Sequence, residues 1–381
     1  MRPVHGGNLV WAAAISGCSS EAILDFSASI SPLGPPQSAI AAIQAHLGKL
    51  SYYPDPNYQE LRSVLSQAHQ LPPEWILPGN GSAELLTWAA WDLAKAMTIL
   101  VTPAFSDYYR ALNTFNAKVI QCPLDLEAVR RQGDKGDKVD LGDKEDKETW
   151  GITNYELPLP LISISPSTCR ECGLVINNPH NPTGMLFRVE TILPYLEQYA
   201  LVVVDEAFMD FLPPNQSQSL IQVMQKYPNL VILRSLTKFY SLPGLRLGYA
   251  IAHPDRLQRW QQWRDPWPVN TLAAAAATAM IQDLEFQQKT WEWLPQTRWQ
   301  LWQGLSQIPG LQPLNSAANF LLVESAQPSL QLQQKLLQHQ ILIRDCLSFP
   351  ELGDRYFRVA VRSKTENERL LRSLWQLTTT L

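Results

Sequence analysis

Residues 234–248 read R-S-L-T-K-F-Y-S-L-P-G-L-R-L-G and directly follow the apolar run Val231-Ile-Leu233. Such a run is typical of a buried strand, so Lys238 is expected just past the strand's end, where α/β folds bind ligands. Two hydroxyl residues flank the lysine, and Arg246 follows eight residues later. Hydroxyls and a guanidinium beside a lysine predict an anion-binding neighbourhood, in which like-charge repulsion lowers the pKa of the amine. A solvated lysine is the ordinary alternative.

Short apolar, β-branched runs recur on both sides of this stretch and alternate with helical patterns. The runs are Thr98-Ile-Leu-Val101, Lys118-Val-Ile120, Leu174-Val-Ile176, Leu201-Val-Val-Val204, Val231-Ile-Leu233 and Leu247-Gly-Tyr-Ala-Ile251. Nearly continuous apolar strands separated by helices are typical of a sheet that helices cover on both faces. The sequence therefore predicts an α/β fold with a mostly parallel sheet.

The length of 381 residues suits two domains. We expect a large domain over residues 45–265, ended by a proline-containing segment after which Asn270 is predicted to cap a helix. Strand and helix patterns then change to those of a smaller α+β unit over residues 266–381. Residues 1–44 carry too few apolar positions for a core of their own, so they are expected to pack onto this smaller unit.

Composition and charge exclude several classes of protein. The net charge of −4 provides no basic surface for nucleic acid. We find neither a signal-peptide pattern nor an apolar run near the ~18 residues that a membrane span needs, which predicts a cytoplasmic protein without membrane contact. The five cysteines are scattered, and Cys169-x-x-Cys172 has no second ligand pair, so we predict neither a disulfide framework nor a metal site.

Residues 131–155 differ in kind from the rest of the chain. They contain the near-repeats G-D-K-G-D-K (133–138) and G-D-K-E-D-K (142–147). Small and charged residues of this kind cannot bury apolar surface, which predicts a solvated or disordered surface insertion without a catalytic role.

Two further segments suggest ligand contacts, although each is ambiguous alone. The glycines of Gly79-Asn-Gly81 precede a helical pattern, where backbone N–H groups can bind an anion, but a plain turn fits equally well. Asp205 follows the apolar run 201–204, at the end of a strand where ligands bind. It could equally cap the next helix.

Three segments together resemble the fold-type I aminotransferases that depend on pyridoxal 5′-phosphate (PLP), and their decarboxylase relatives. They are S-L-T-K-F-Y-S-L-P-G-L-R-L-G (235–248), N-N-P-H-N-P-T-G (177–184) and V-V-D-E-A-F (203–208). The resemblance implies two catalytic residues: Lys238 binds PLP as a Schiff base, and Asp205 pairs with the ring nitrogen and keeps it protonated.

The resemblance implies further contacts with PLP. Asn181 would donate to the ring oxygen O3′, and Phe105 would stack on the ring. The cofactor phosphate would be held by Gly81, Ser82, Ala83, Ser235 and Arg246. Tyr53 would reach the phosphate in a neighbouring subunit, which implies a homodimer.

The ends of the chain resemble the decarboxylase relatives that act on a small phosphorylated amino acid in cobalamin biosynthesis. The segments are His5-Gly-Gly-Asn8, L-D-F-S-A-S-I-S-P-L-G (24–34), Ile341-Leu-Ile-Arg344 and R-Y-F-R-V-A-V-R-S (355–363). The resemblance implies substrate contacts from His5, Gly6, Ser29, Asn181, Arg344 and Arg358.

The two arginines suit the substrate chemistry. Arg344 and Arg358 can clamp the phosphate end and leave the carboxylate out of the ring plane and relatively unpaired, which favours its loss. Ser29 stands where the relatives have asparagine, so a direct contact with the substrate there stays open.

Three alternatives differ in class. A histidinol-phosphate aminotransferase would share the fold, the cofactor contacts and both arginines. In such an enzyme we would expect tyrosine at position 208, where this chain has phenylalanine, and no terminal His-Gly-Gly-Asn. A nicotinamide dehydrogenase using Gly79-Asn-Gly81 would leave Lys238 unexplained. An inert PLP-binding regulator would need an added DNA-binding module. The sequence does not show whether Cα–H or Cα–carboxylate is the bond that breaks.

Overall fold

The computed structural model describes residues 5–127, 154–155 and 171–379. The predicted charged insertion at 131–155 lies outside these residues except for one short strand. Cys169 also lies outside them.

The helices are α1 (Leu9–Ser16), α2 (Gln37–His46), α3 (Gln59–His69), α4 (Ser82–Leu93), α5 (Ser106–Thr114), α6 (Val189–Gln198), α7 (Leu236–Phe239), α8 (Pro254–Trp263), α9 (Thr271–Ile281), α10 (Leu284–Ser306), α11 (Ser329–Gln338) and α12 (Lys364–Thr379). The strands are β1 (Leu24–Asp25), β2 (Ile76–Gly79), β3 (Met97–Thr102), β4 (Lys118–Pro123), β5 (Asn154–Tyr155), β6 (Gly173–Asn177), β7 (Leu186–Phe187), β8 (Leu201–Asp205), β9 (Leu230–Ser235), β10 (Gly248–Ala252), β11 (Leu311–Pro313), β12 (Phe320–Ser325), β13 (Ile341–Leu342) and β14 (Tyr356–Ala360).

Within the described residues, seven strands form the largest sheet, in the order β2-β10-β9-β8-β6-β3-β4. The strands from β9 to β4 pair in parallel, whereas β10 runs antiparallel to both β2 and β9. Each of the six predicted apolar runs falls on one of these strands. The predicted α/β fold with a mostly parallel sheet is confirmed.

Strand β2 has no clear signal in the sequence, because Pro78 interrupts its apolar run. Proline lacks the N–H that a strand donates to its neighbours, so it is confined to the edges of sheets. Strand β2 lies at the edge of the sheet, and Pro78 pairs with Tyr249 of β10 on its one neighbouring side. The edge position explains why the strand tolerates the proline.

Helices cover both faces of the sheet. Successive strand residues point to opposite faces, and in β8 this sends Val202 and Val204 into one apolar cluster and Leu201 and Val203 into another. The second cluster includes buried residues of α4, α5 and α8. Helix α9, which packs with α2 and α3, begins as predicted at Asn270, whose side chain accepts from the Ala273 N–H.

The N-terminal residues contact the C-terminal part of the chain. Strand β1 pairs in parallel with β13, and Ala12 and Ala13 of α1 pack against Leu337 and Leu342. Strands β11, β12 and β14 form an antiparallel sheet. The division into residues 45–265 and residues 1–44 with 266–381 stays a prediction.

Among the helices described, none combines the length and the apolar character needed to cross a bilayer.

Gly248 in β10 lies directly against the start of α4, and this contact can be tested. A Cβ there would lie 2.6 Å from both the Arg234 carbonyl oxygen and the Ser82 nitrogen. These are backbone atoms that cannot rotate away, so Gly248→Ala is expected to lower the free energy of unfolding by about 2–3 kcal/mol, measured by urea denaturation. Gly244→Ala is the control, because its Cβ would meet nothing within 4 Å. Equal stabilities of the two variants would contradict the close approach.

Candidate active site

The candidate active site lies where β8 and β9 end. Because these strands are parallel neighbours, their last residues Asp205 and Ser235 reach the same edge of the sheet. Helix α7 begins directly after Ser235 and carries Lys238. Asp205 and Lys238 line one cavity of about 390 Å³. The two predicted catalytic residues therefore line the same cavity.

Most other predicted site residues line the same cavity. They are His5, Gly6, Ser29, Ser82, Ala83, Phe105, Asn181, Ser235, Arg246, Arg344 and Arg358. Gly81 lies beside the cavity as the N-cap of α4. Tyr53 is not among the lining residues of its own chain: its side chain is 78% exposed, and its ring stacks on Trp267 with centroids 4.3 Å apart.

The amine of Lys238 is buried between polar and aromatic groups. Its Nζ donates to Ser235 Oγ at 3.1 Å and lies 5.2 Å from the centre of the Phe208 ring. Burial lowers the pKa of Lys238 to about 8, with help from the charges of Arg246 and Arg358 and against the opposing effect of Asp205. The direction predicted from like-charge repulsion is correct, but desolvation is the larger cause.

The carboxylate of Asp205 is fixed by donors on both oxygens. Oδ1 accepts from the Ala207 N–H at 2.9 Å, and Oδ2 accepts from the Tyr108 hydroxyl at 2.7 Å. Burial raises the pKa of Asp205, while the Tyr108 hydrogen bond and the charge of Lys238 oppose that rise. Asp205 therefore has a defined orientation towards the cavity.

An anion site forms at the start of α4. Gly81 caps this helix with φ +76°, a conformation that favours glycine. An added Cβ on Gly81 would lie 2.5 Å from Nη2 of Arg246, so the guanidinium occupies the space that a side chain would take. Ser82 and Ala83 begin the helix and line the cavity. The N–H groups of a helix start beside a guanidinium suit a phosphate.

A second pair of cations comes from Arg344 and Arg358. Their backbones exchange two hydrogen bonds, of 3.0 and 2.8 Å, so the two residues lie side by side. Arg358 Nη1 donates to Asn181 Oδ1, and the guanidinium carbon lies 4.7 Å from the centre of the Phe320 ring. Burial lowers the pKa of Arg358 to about 10. Arg344 Nη2 donates to Ser348 Oγ at 2.5 Å.

The N-terminal segment is held at the cavity by Ser27, which the sequence did not reveal as a site residue. Ser27 Oγ accepts from the Gly7 N–H at 2.8 Å and donates to Asp25 Oδ1 at 2.6 Å. Gly6 approaches so closely that an added Cβ would collide with the Ser27 carbonyl oxygen. Ser29 is buried, and its Oγ has no hydrogen-bond partner among the described residues.

Besides Ser27, three polar or charged residues that the sequence did not indicate as site residues line the cavity: Asp107, Tyr108 and Asn177. Asn177 Nδ2 donates to the Asp205 carbonyl oxygen, and its Oδ1 accepts from the Asn181 N–H. This side chain therefore ties the Asn181 loop to the end of β8. A signal for Asn177 was available, because it ends strand β6 beside Asp205.

A lysine, a fixed carboxylate and a phosphate-binding helix start around one cavity define a PLP-type site. The chain belongs to the family "Aminotransferase class I and II", whose model matches residues 21–374. It is 37% identical over 375 residues to the threonine-phosphate decarboxylase of Salmonella typhimurium, covering 97% of this chain and 95% of that protein.

Two other similarities extend this comparison. The chain is 28% identical over 374 residues to the adenosylcobalamin biosynthesis bifunctional protein CobDQ of Leptospira interrogans, which covers 97% of this chain and 40% of that longer protein. The crystal structure of the histidinol-phosphate aminotransferase from Clostridium acetobutylicum superimposes with a TM-score of 0.80 at 25% identity, covering 94% of this chain and all of that one.

PLP is the cofactor of this family and therefore of this chain. The residues present fit it. Lys238 provides a buried amine for the aldehyde, and Asp205 provides an oriented carboxylate for the ring nitrogen. The helix start at Gly81 leaves a cradle for the phosphate beside Arg246, which a Cβ at position 81 would obstruct.

The hydrogen bond from Tyr108 to Asp205 gives a test of this arrangement. Tyr108→Phe would leave a buried carboxylate oxygen without its donor, which costs about 1.5–3 kcal/mol for a charged group. We expect the affinity for PLP to fall by about tenfold to a hundredfold, measured by titrating the apoenzyme and following absorbance. The matched control is Tyr109→Phe, because Tyr109 instead donates to Glu351 at 2.6 Å. Unchanged affinity in both variants would show that Tyr108 does not support the cofactor's partner.

Proposed function

We propose that this chain is a PLP-dependent carboxy-lyase that converts L-threonine O-3-phosphate to (R)-1-aminopropan-2-yl phosphate in cobalamin biosynthesis. The sequence supports this through its similarity to the Salmonella decarboxylase over nearly all of both chains. The similarity to CobDQ supports the assignment to cobalamin biosynthesis.

The observation that carries the proposal is a second set of cations in the cavity, beyond those that suit the cofactor phosphate. Arg344 and Arg358 lie side by side in the cavity that Lys238 lines. A substrate with its own phosphate needs such a pair, since guanidinium groups bind phosphate oxygens in a bidentate manner. We assign Arg344, Arg358 and Asn181 to substrate binding.

The N-terminal residues complete the proposed substrate site. His5 and Gly6 line the cavity, and Ser27 holds the backbone of this segment in place. Ser29 Oγ is buried at the cavity and has no hydrogen-bond partner among the residues described. We assign His5, Gly6 and Ser29 to substrate binding, because each provides a donor to an anionic ligand.

In the proposed mechanism the protein orients the bond that breaks. When bound, PLP accepts the electron pair that remains on the substrate Cα. Arg344 and Arg358 would hold the phosphate end of the substrate and so fix the direction in which its carboxylate points, without pairing with that carboxylate. Asp205 would pair with the ring nitrogen of bound PLP and keep it protonated. The Nζ of Lys238, with a pKa of about 8, can take up or release a proton near neutral pH.

Phe208 supports decarboxylation over amino transfer. In most aminotransferases that the sequence resembles, a tyrosine hydroxyl at this position donates to the cofactor's O3′. Here the buried Phe208 ring lies beside the Lys238 amine and supplies no such donor. The site therefore lacks one hydrogen bond that supports amino transfer.

The reaction can be tested directly with the holoenzyme and L-threonine O-3-phosphate. We expect one CO2 and one aminopropyl phosphate per substrate consumed and no keto acid, measured by a coupled CO2 assay and mass spectrometry. Unphosphorylated threonine is the control, and it should react far more slowly because it cannot use the arginine pair. Keto acid without CO2 would exclude the decarboxylase and favour an aminotransferase such as the histidinol-phosphate enzyme.

We also propose a cytoplasmic homodimer in which Tyr53 reaches the cofactor phosphate of the partner subunit. Tyr53 is exposed and lies outside its own cavity lining, and it forms an exposed aromatic surface with Tyr52 and Trp267. Exposed aromatic surface of this kind is typical of interfaces. No disulfide joins the cysteines within the described residues, which suits a reducing compartment.

Mixed dimers test the role of Tyr53. Lys238→Ala and Tyr53→Ala should each be inactive alone. If Tyr53 acts across the interface, each mixed dimer contains one intact site, so an equal mixture should recover about a quarter of the wild-type rate after subunit exchange. No recovery, in a mixture shown by native mass spectrometry to contain mixed dimers, would place Tyr53 in its own subunit's site.

A further inference from the structure

Asp107 is a carboxylate at the cavity that the proposed function does not yet use. It lies in the first turn of α5, two residues after Phe105, and lines the cavity with Lys238. Its side chain is 21% exposed. A carboxylate is unexpected in a cavity that must accept the cofactor phosphate, the substrate phosphate and the substrate carboxylate, because like charges repel more strongly where water is partly excluded.

Among the residues described, Asp107 forms ion pairs only with partly exposed groups, although the charge of Lys238 also attracts it across the cavity. Within the described residues its ion pairs are with Arg110, whose Nε lies 3.3 Å from Oδ1, and with His5, whose Nε2 lies 3.8 Å away. Both partners are about half exposed, at 49% and 53%, and ion pairs with exposed groups are weak. In the part of the chain that is described, the cavity cations Arg246 and Arg358 form no ion pair with Asp107.

The positions of the other charges limit where the substrate carboxylate can lie. Lys238 and Asp205 serve the cofactor, and Arg246 serves its phosphate. Arg344 and Arg358 serve the substrate phosphate. Once these residues are assigned, the carboxylate and the imidazole that remain among the described residues of the cavity lining are those of Asp107 and His5. The second anion of the substrate therefore shares the cavity with Asp107.

We propose that Asp107 is a reaction-specificity residue, whose negative charge lies beside the substrate carboxylate and favours its departure as neutral CO2. This inference rests on the proposed function. The Cα–carboxylate bond breaks, its electron pair stays on Cα, CO2 leaves without charge, and a proton from water replaces it. The like charge raises the energy of the bound carboxylate but not that of a transition state in which this charge is leaving the group.

A different role for Asp107 would be to hold His5 over the cavity. The two roles predict opposite effects on binding. If Asp107 only positions His5, removing its charge weakens the binding of every anionic ligand. If Asp107 repels the carboxylate, removing its charge strengthens the binding of ligands that carry a carboxylate and leaves other ligands unaffected.

Calorimetry with two unreactive ligands separates these roles. The ligands are 3-(phosphonooxy)butanoate, which has both anions, and isopropyl phosphate, which lacks the carboxylate; neither has an amine, so neither reacts at the cofactor. We expect holoenzyme with Asp107→Asn to bind the first about tenfold more tightly than wild type, the effect of one nearby like charge in a partly screened site. Binding of the second should be unchanged. Asp107→Glu keeps the charge and should resemble wild type.

The rate of CO2 release gives the second readout. Single-turnover CO2 release by Asp107→Asn should be slower by about tenfold. Without the repulsion the bound carboxylate is more stable while the transition state is unchanged, so the barrier is higher. If Asp107→Asn binds both ligands no more tightly than the wild type does, the proposal is overturned. If wild-type enzyme releases no CO2 from L-threonine O-3-phosphate, the proposed function fails, whereas the difference between the two ligands still reports whether Asp107 lies beside the second anion.

Discussion

The site depends on two opposite charges that share one buried cavity at the end of parallel strands. Burial raises the pKa of Asp205 and lowers that of Lys238, and each charge opposes the shift of the other. Neither charge would be tolerated alone in such an environment. The donors from Tyr108 and Ala207 to Asp205 and the acceptor Ser235 for Lys238 follow from this requirement, because each provides a hydrogen-bond partner for a polar atom that has lost much of its contact with water.

The parts of the fold that could be predicted are those in which the sequence pattern is local. Strands β3, β4, β6, β8, β9 and β10 each contain a short apolar run. Because the carboxyl ends of parallel strands meet at one edge, these runs together with the resemblance to PLP enzymes were enough to expect Asp205 and Lys238 at the same edge. Strand β2 escapes this reasoning, since Pro78 breaks its pattern and only its place at the sheet edge makes the strand possible.

The residues that could not be predicted reach the site through tertiary packing. Tyr108 lies 97 residues before its partner Asp205 and comes from the first turn of α5, which carries no motif of its own. Ser27 contributes through contacts with the backbone of Gly7 and the carboxylate of Asp25. No repeating pattern of apolar residues in the sequence indicates such contacts. The resemblance identified Phe105 but not its neighbours on the helix, whose roles depend on which face of α5 turns towards the cavity.

Relatives with the same fold have names that indicate different reactions, and the energies involved explain how this is possible. A tenfold preference for breaking one bond over another needs about 1.4 kcal/mol between the two transition states. One hydrogen bond to a charged group is worth about 1.5–3 kcal/mol, and one nearby charge in a partly screened site contributes a comparable amount. The absence of a tyrosine hydroxyl at Phe208, and the repulsion that we propose for Asp107, are therefore each comparable in energy to what such a preference needs. The strands, the helix start at Gly81 and the pair of Asp205 and Lys238 need not change, because they support the cofactor in either reaction. Reaction specificity in this fold is thus expected in the few side chains around the substrate, where a change affects the transition state without disturbing the buried charges.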